Sequence, residues 1–86
     1  MQGVKIVLDL HEIAHSGHAI ERALLAVMQE ARDKKAPMVE IIPGKGTGAL
    51  KKTVLRFLDR PEIKVQYQRV QKESKNHGRL FVHFRW

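Results

Sequence analysis

The 86-residue sequence predicts an α/β fold of the order βαβαββ, an α+β two-layer sandwich in which two helices cover one face of a four-stranded mixed sheet. Three observations carry this expectation. Residues 4–10 (VKIVLDL) and 38–42 (MVEII) are short, mostly apolar runs of the kind parallel strands present. Each is followed by a stretch with apolar residues three and four apart, the spacing of one helix face. The last third of the chain alternates apolar and polar residues, as a strand with one wet face does.

In the first strand, Asp9 is the anomaly, since a carboxylate near the end of a strand buried on both faces is costly unless it is paired or emerges into a site. His11 lies two residues on, so an extended backbone presents carboxylate and imidazole on one side while Leu10 turns into the core. The pair suits acid–base work; a capping Asp beside an exposed His is the alternative. Ser16 is the expected N-cap of the first helix, whose stripe is Ile20, Ala23, Leu24, Val27, Met28 and Ala31 and which ends near Lys35. Pro37 then breaks the chain before the second strand.

Residues 43–52, PGKGTGALKK, come between that strand and a second helix running from about Ala49 to Asp59 with the stripe Leu50, Val54, Phe57 and Leu58. Gly44, Gly46 and Gly48 allow positive φ and close backbone approach, and a helix start offers free N–H groups at the positive end of its dipole. With Lys45, Lys51 and Lys52 alongside, the stretch reads as a phosphate cradle, Thr47 included; a tight turn that uses glycine for geometry alone is the other reading. Pro61 is expected to end the helix. Ile63, Val65 and Tyr67 alternate with polar residues as a third strand, and Leu80, Val82, Phe84 and Trp86 as a fourth. A polar loop, residues 71–78, joins them, with Gly78 for the turn. If the first two strands are neighbours, Asp9 and His11 meet the glycine stretch at the carboxyl edge of the sheet, where ligands of open α/β sheets bind.

Length allows one domain, residues 1–86, with a single small core. The chain has no cysteine, hence no disulfide or thiolate metal site, and neither a membrane-length apolar run nor a signal-peptide pattern, so a cytoplasmic, intracellular domain without a membrane partner is expected. Residues 1–43 hold five basic and six acidic residues, whereas residues 44–86 hold eleven and three. A basic half that begins at a phosphate cradle points to a polyanion, nucleic acid first, with Lys72, Lys75 and Arg79 extending the set of phosphate contacts. A solvated basic surface is the competing explanation.

Other motifs fail on context. Gly44, Gly46 and Ala49 match the dinucleotide fingerprint formally, but the third strand as read ends in Gln68, Arg69 and Val70 without a ribose-binding acid, and the chain is too short. No Lys-Ser or Lys-Thr pair completes a Walker A loop. His11, His15 and His18 have helical spacing but precede the helix, so no metal site is assigned. His83 reads as a surface histidine.

Leu8-Asp9-Leu10-His11 after the first strand, together with Gly44-Lys45-Gly46-Thr47-Gly48 after the second, resemble the small MutS-related family, the Smr domain, over essentially the whole chain. The resemblance implies a sheet like that of the C-terminal domain of bacterial translation initiation factor three, with strand order 1-2-4-3 and the fourth strand antiparallel. It also implies nucleic-acid cleavage: members nick DNA or cut messenger RNA at stalled ribosomes, and others bind without cutting. The matching positions are Asp9, His11, Gly44, Lys45 and Gly46; Glu12 stands where the family usually has Gly, and Pro43 where many members have His or Thr. The expected function is therefore an endonuclease acting on RNA or DNA, with Asp9, His11 and Lys45 catalytic. The alternative is a non-catalytic binding module of a larger ribosome-associated or DNA-repair protein. No cofactor is expected, magnesium entering only if the substrate is DNA.

Overall fold

The structure is a computed structural model that describes residues 5–10, 16–43, 49–73 and 79–85. Its elements are β1 (Lys5–Asp9), α1 (Gly17–Lys34), β2 (Met38–Ile42), α2 (Ala49–Leu58), α3 (Pro61–Lys64), β3 (Arg69–Lys72) and β4 (Leu80–His83). The sheet order is β1-β2-β4-β3. β1 and β2 pair in parallel, and β4 is antiparallel to both of its neighbours. The expected mixed sheet and strand order are therefore present.

Side-chain alternation splits the sheet into two unlike faces. Ile6, Val39, Val82 and Val70 form one register row and Leu8, Ile41, Leu80 and Lys72 the next. These rows meet the helices, and most of their apolar members join Leu24, Val27, Met28, Val54, Phe57 and Leu58 in one core. Truncating a side chain as deep as Leu24 in such a core typically costs about 2–5 kcal/mol. The other face carries Lys5, Val7 and Asp9 of β1, all exposed. So the expectation that β1 is buried on both faces is corrected: β1 is an edge strand with one open face, and Val7 is 53% exposed.

The first helix begins and ends on side-chain and backbone caps. Ser16 Oγ accepts the Ala19 N–H at 3.2 Å. At the other end Lys35 adopts the left-handed conformation, φ 51°, and its N–H and that of Ala36 satisfy the carbonyls of Arg32 and Ala31.

The third strand is the main departure from the sequence reading. Pro61 does not end α2, which stops at Leu58; it occupies the first turn of the short α3, where its missing N–H is harmless. Ile63 is buried in that turn, Val65 is 83% exposed, and the Tyr67 hydroxyl donates to the Leu58 carbonyl at 2.7 Å, so their alternation reflects three separate environments. β3 lies later, at Arg69–Lys72, and takes Gln71 and Lys72 out of the expected loop. One ground for setting aside the dinucleotide fingerprint falls with this, since Glu73 follows the strand; the antiparallel β4 between β2 and β3 rules that fold out instead.

Candidate nucleic-acid interface

β1, β2 and β3 run in the same direction, so their carboxyl ends share one edge of the sheet with the start of β4. Asp9 is in register with Ile42, and the Leu10 N–H donates to the Ile42 carbonyl at 2.9 Å. Leu10 is fully buried and Asp9 exposed, as the strand alternation requires. An exposed Asp9 escapes the desolvation cost that made it conspicuous in the sequence. The chain leaves Leu10 toward His11, and Pro43, which is buried, toward Gly44. His11, residues 44–48 (Gly44, Lys45, Gly46, Thr47 and Gly48) and Lys75 lie outside the described residues. What the structure brings together is thus Asp9 and the two chain exits leading to them.

Beyond the glycine stretch, α2 starts at the same edge with Lys51 and Lys52 in its first turn and no acidic residue there. Cations at a helix N-terminus add to the dipole instead of cancelling it, which makes this end of α2 more positive. Lys72 closes β3 at this edge on the helix-covered side, in register with Leu80. Arg79 stands on the other side. Its Nη1 donates to Glu40 Oε2 at 3.0 Å, while Lys5 Nζ holds Glu40 Oε1 at 2.9 Å. Glu40 is 5% exposed in the middle of β2, and two cations satisfy its two oxygens. The sequence reading passed over this clamp, although a charged residue inside the apolar run 38–42 was the signal for it.

His83 lies on the open face of the sheet, partly exposed as expected: its Nε2 lies 3.0 Å from Gln71 Oε1, and partial burial, with the Arg69 guanidinium nearby, pushes its pKa below the ordinary 6.5. Far from the edge, Arg60 makes two hydrogen bonds to Glu21, and these hold the Glu21 carboxyl below and the Arg60 guanidinium above their usual ranges. That pair ties α1 to the segment after α2. Among the described residues no three His, Cys, Asp or Glu side chains gather as metal ligands, and no helix is long and apolar enough to cross a membrane.

The family model of the Smr domain matches residues 8–85, from the leucine before Asp9 to the end of the fourth strand's extension. This chain belongs to the Smr domain family. The Smr domain is a nucleic-acid-binding and nuclease type of domain, so interaction with nucleic acid is the general expectation for this member. In fold it is similar to the crystal structure of the Smr domain of Thermus thermophilus MutS2, with a TM-score of 0.72 and 20% identity over 95% of this chain and 98% of that one. Among curated proteins no sequence match emerges.

Proposed function

We propose that this Smr domain binds nucleic acid at the carboxyl edge of the sheet and cleaves RNA there. The observation that carries the reading is the register of Asp9 with Ile42, which makes the segments bearing His11 and the glycine stretch leave the sheet side by side. Family membership and the basic first turn of α2, which holds no acidic residue, support it. On this reading His11 takes the proton of the ribose 2′-hydroxyl, and Asp9 holds the imidazole in the required tautomer. The 2′-oxygen then bonds to phosphorus as the 5′-oxygen leaves and takes a proton from water, and the imidazolium of His11 returns its own proton to solvent. Lys45 and the backbone N–H groups of the loop balance the charge that develops on the phosphate, with Lys51, Lys52, Lys72 and Lys75 supplying further phosphate contacts. One carboxylate and one imidazole are a poor cage for two metal ions, which favours RNA, whose own hydroxyl is the nucleophile, over DNA. Binding without cleavage is the second reading, supported by Glu12 and by Pro43, which has no N–H and no titratable group.

The test is incubation of the domain with end-labelled single- and double-stranded RNA and DNA, with magnesium or with chelator. The expected result is chelator-resistant cleavage of RNA leaving a 2′,3′-cyclic phosphate, reduced at least about a hundredfold in His11→Ala with binding retained. Strict magnesium dependence, or full activity in His11→Ala, overturns the assignment. Binding with no cleavage of any substrate selects the second reading.

A further inference from the structure

An open groove of about 470 Å³, lined by Leu55, Arg56, Leu58, Asp59, Lys64, Tyr67, Val70 and Lys72, runs between α2 and β3. Its volume is that of a small-ligand site, roughly 300–1,000 Å³. Its walls differ in chemistry. Leu55, Tyr67 and Val70 make an apolar floor, while Arg56, Lys64 and Lys72 bring three cations to the rim. Among the described lining residues the single acid, Asp59, lies 3.4 Å from Lys64 Nζ. No described carboxylate pairs with Arg56 or Lys72.

The topology connects this groove to the candidate interface. β3 runs parallel to β1, and Lys72 belongs to the register row of Leu8, Ile41 and Leu80, one step before Asp9. α2 starts at the same edge. Lys51 and Lys52 sit one helical turn before Leu55 and Arg56, on the same face, because residues four apart stack along a helix. A row of cations therefore leads from the glycine stretch down α2, with an apolar floor beside it.

We infer that this groove is an extension subsite that holds a single-stranded stretch of the nucleic acid flanking the cleaved or bound position. The inference rests on the proposed nucleic-acid reading and adds the substrate's form. Unpaired bases have faces to lay on Leu55, Tyr67 and Val70 while the phosphates between them meet Arg56 and Lys72. A duplex keeps those faces stacked inside and has nothing to offer the floor. An acidic peptide matches the cations but not the alternation of charge and flat apolar surface.

The deciding experiment titrates oligouridylates of about 4 and about 16 nucleotides, the span of typical single-strand sites, into wild-type protein and the double variant Arg56→Glu/Lys72→Glu, by NMR and by fluorescence anisotropy across a salt series. Circular dichroism checks folding, and Arg56→Ala/Lys72→Ala replaces the double variant if it fails to fold. The expected result is at least tenfold weaker binding of the longer strand, with a salt slope shallower by roughly 1.4 for the two lost contacts, while the shorter strand, which can meet Lys72 but not Arg56, weakens less and loses no more than about 0.7 in slope. Amide shifts at Leu55 and Val70 should follow the longer strand and not the shorter. Equal affinity and slope for the longer strand, or displacement of that strand from the groove amides by polyglutamate with no loss at the carboxyl edge, overturns the groove assignment alone. Failure of wild type to bind either strand overturns the nucleic-acid reading itself.

Discussion

The two sides of the sheet handle positive charge in opposite ways. On the open face, Lys5 and Arg79 both turn to the buried Glu40, so two cations are engaged by one carboxylate inside the fold. In the groove between α2 and β3, Arg56 and Lys72 stand over an apolar floor with no described carboxylate on either of them. The net charge of the chain, +7, does not distinguish these cases. The difference teaches that a basic residue near a candidate interface is available to a ligand only where the fold has not already used it.

That contrast can be broken most sharply by stripping the clamp. Lys5→Met combined with Arg79→Met leaves Glu40 buried without its cations, and unfolding in urea should show a loss of about 3–5 kcal/mol. A loss below roughly 1 kcal/mol would mean that Glu40 reaches water and that the clamp holds nothing. Arg79→Met alone, with Lys5 still in place, should cost ~1–3 kcal/mol and leave the salt slope of RNA binding at the wild-type value. A smaller effect comes from His83 on the same face. Its pKa is held below 6.5 by burial and then by Arg69, so the unfolded chain takes up the proton more readily than the folded one. Stability is therefore intact above 6.5 and declines as pH falls through it, and His83→Gln should remove that part of the decline in urea midpoints measured across this range. At the far end of the scale, Arg56→Met in the groove should leave stability within about 0.5 kcal/mol of wild type while weakening RNA binding. A stability loss equal to that of Arg79→Met would erase the distinction between the two sides.

How far the sequence disclosed all this depends on the range of the interactions involved. Ile20, Leu24, Val27, Met28 and Ala31 gave α1 by periodicity, and Ser16 marked its start, because helix faces and caps are set by neighbours in the chain. β3 escaped because Arg-Val-Gln-Lys has one apolar residue; an edge strand with little buried side-chain surface leaves no alternation to read. Ile63, Val65 and Tyr67 imitated a strand by coincidence of spacing. In the candidate site, the position of Asp9 was legible from strand polarity and the rule of the carboxyl edge. The Glu40 clamp and the groove were not: the clamp joins Glu40 to residues far from it in the chain, Lys5 and Arg79, and the walls of the groove face each other only once α2 and β3 are docked in the β1-β2-β4-β3 fold.

The register row Lys5, Met38, His83 has one more consequence. The described chain enters β1 and leaves β4 on either side of Met38, two strand spacings or roughly 10 Å apart, at the edge opposite Asp9. A polypeptide joined at either point would depart from the back of the molecule. Spliced into a loop of a host protein, the domain would hang like a bead on a short stem, with its candidate interface turned outward and its two attachment points close enough to bridge a gap that the host already spans.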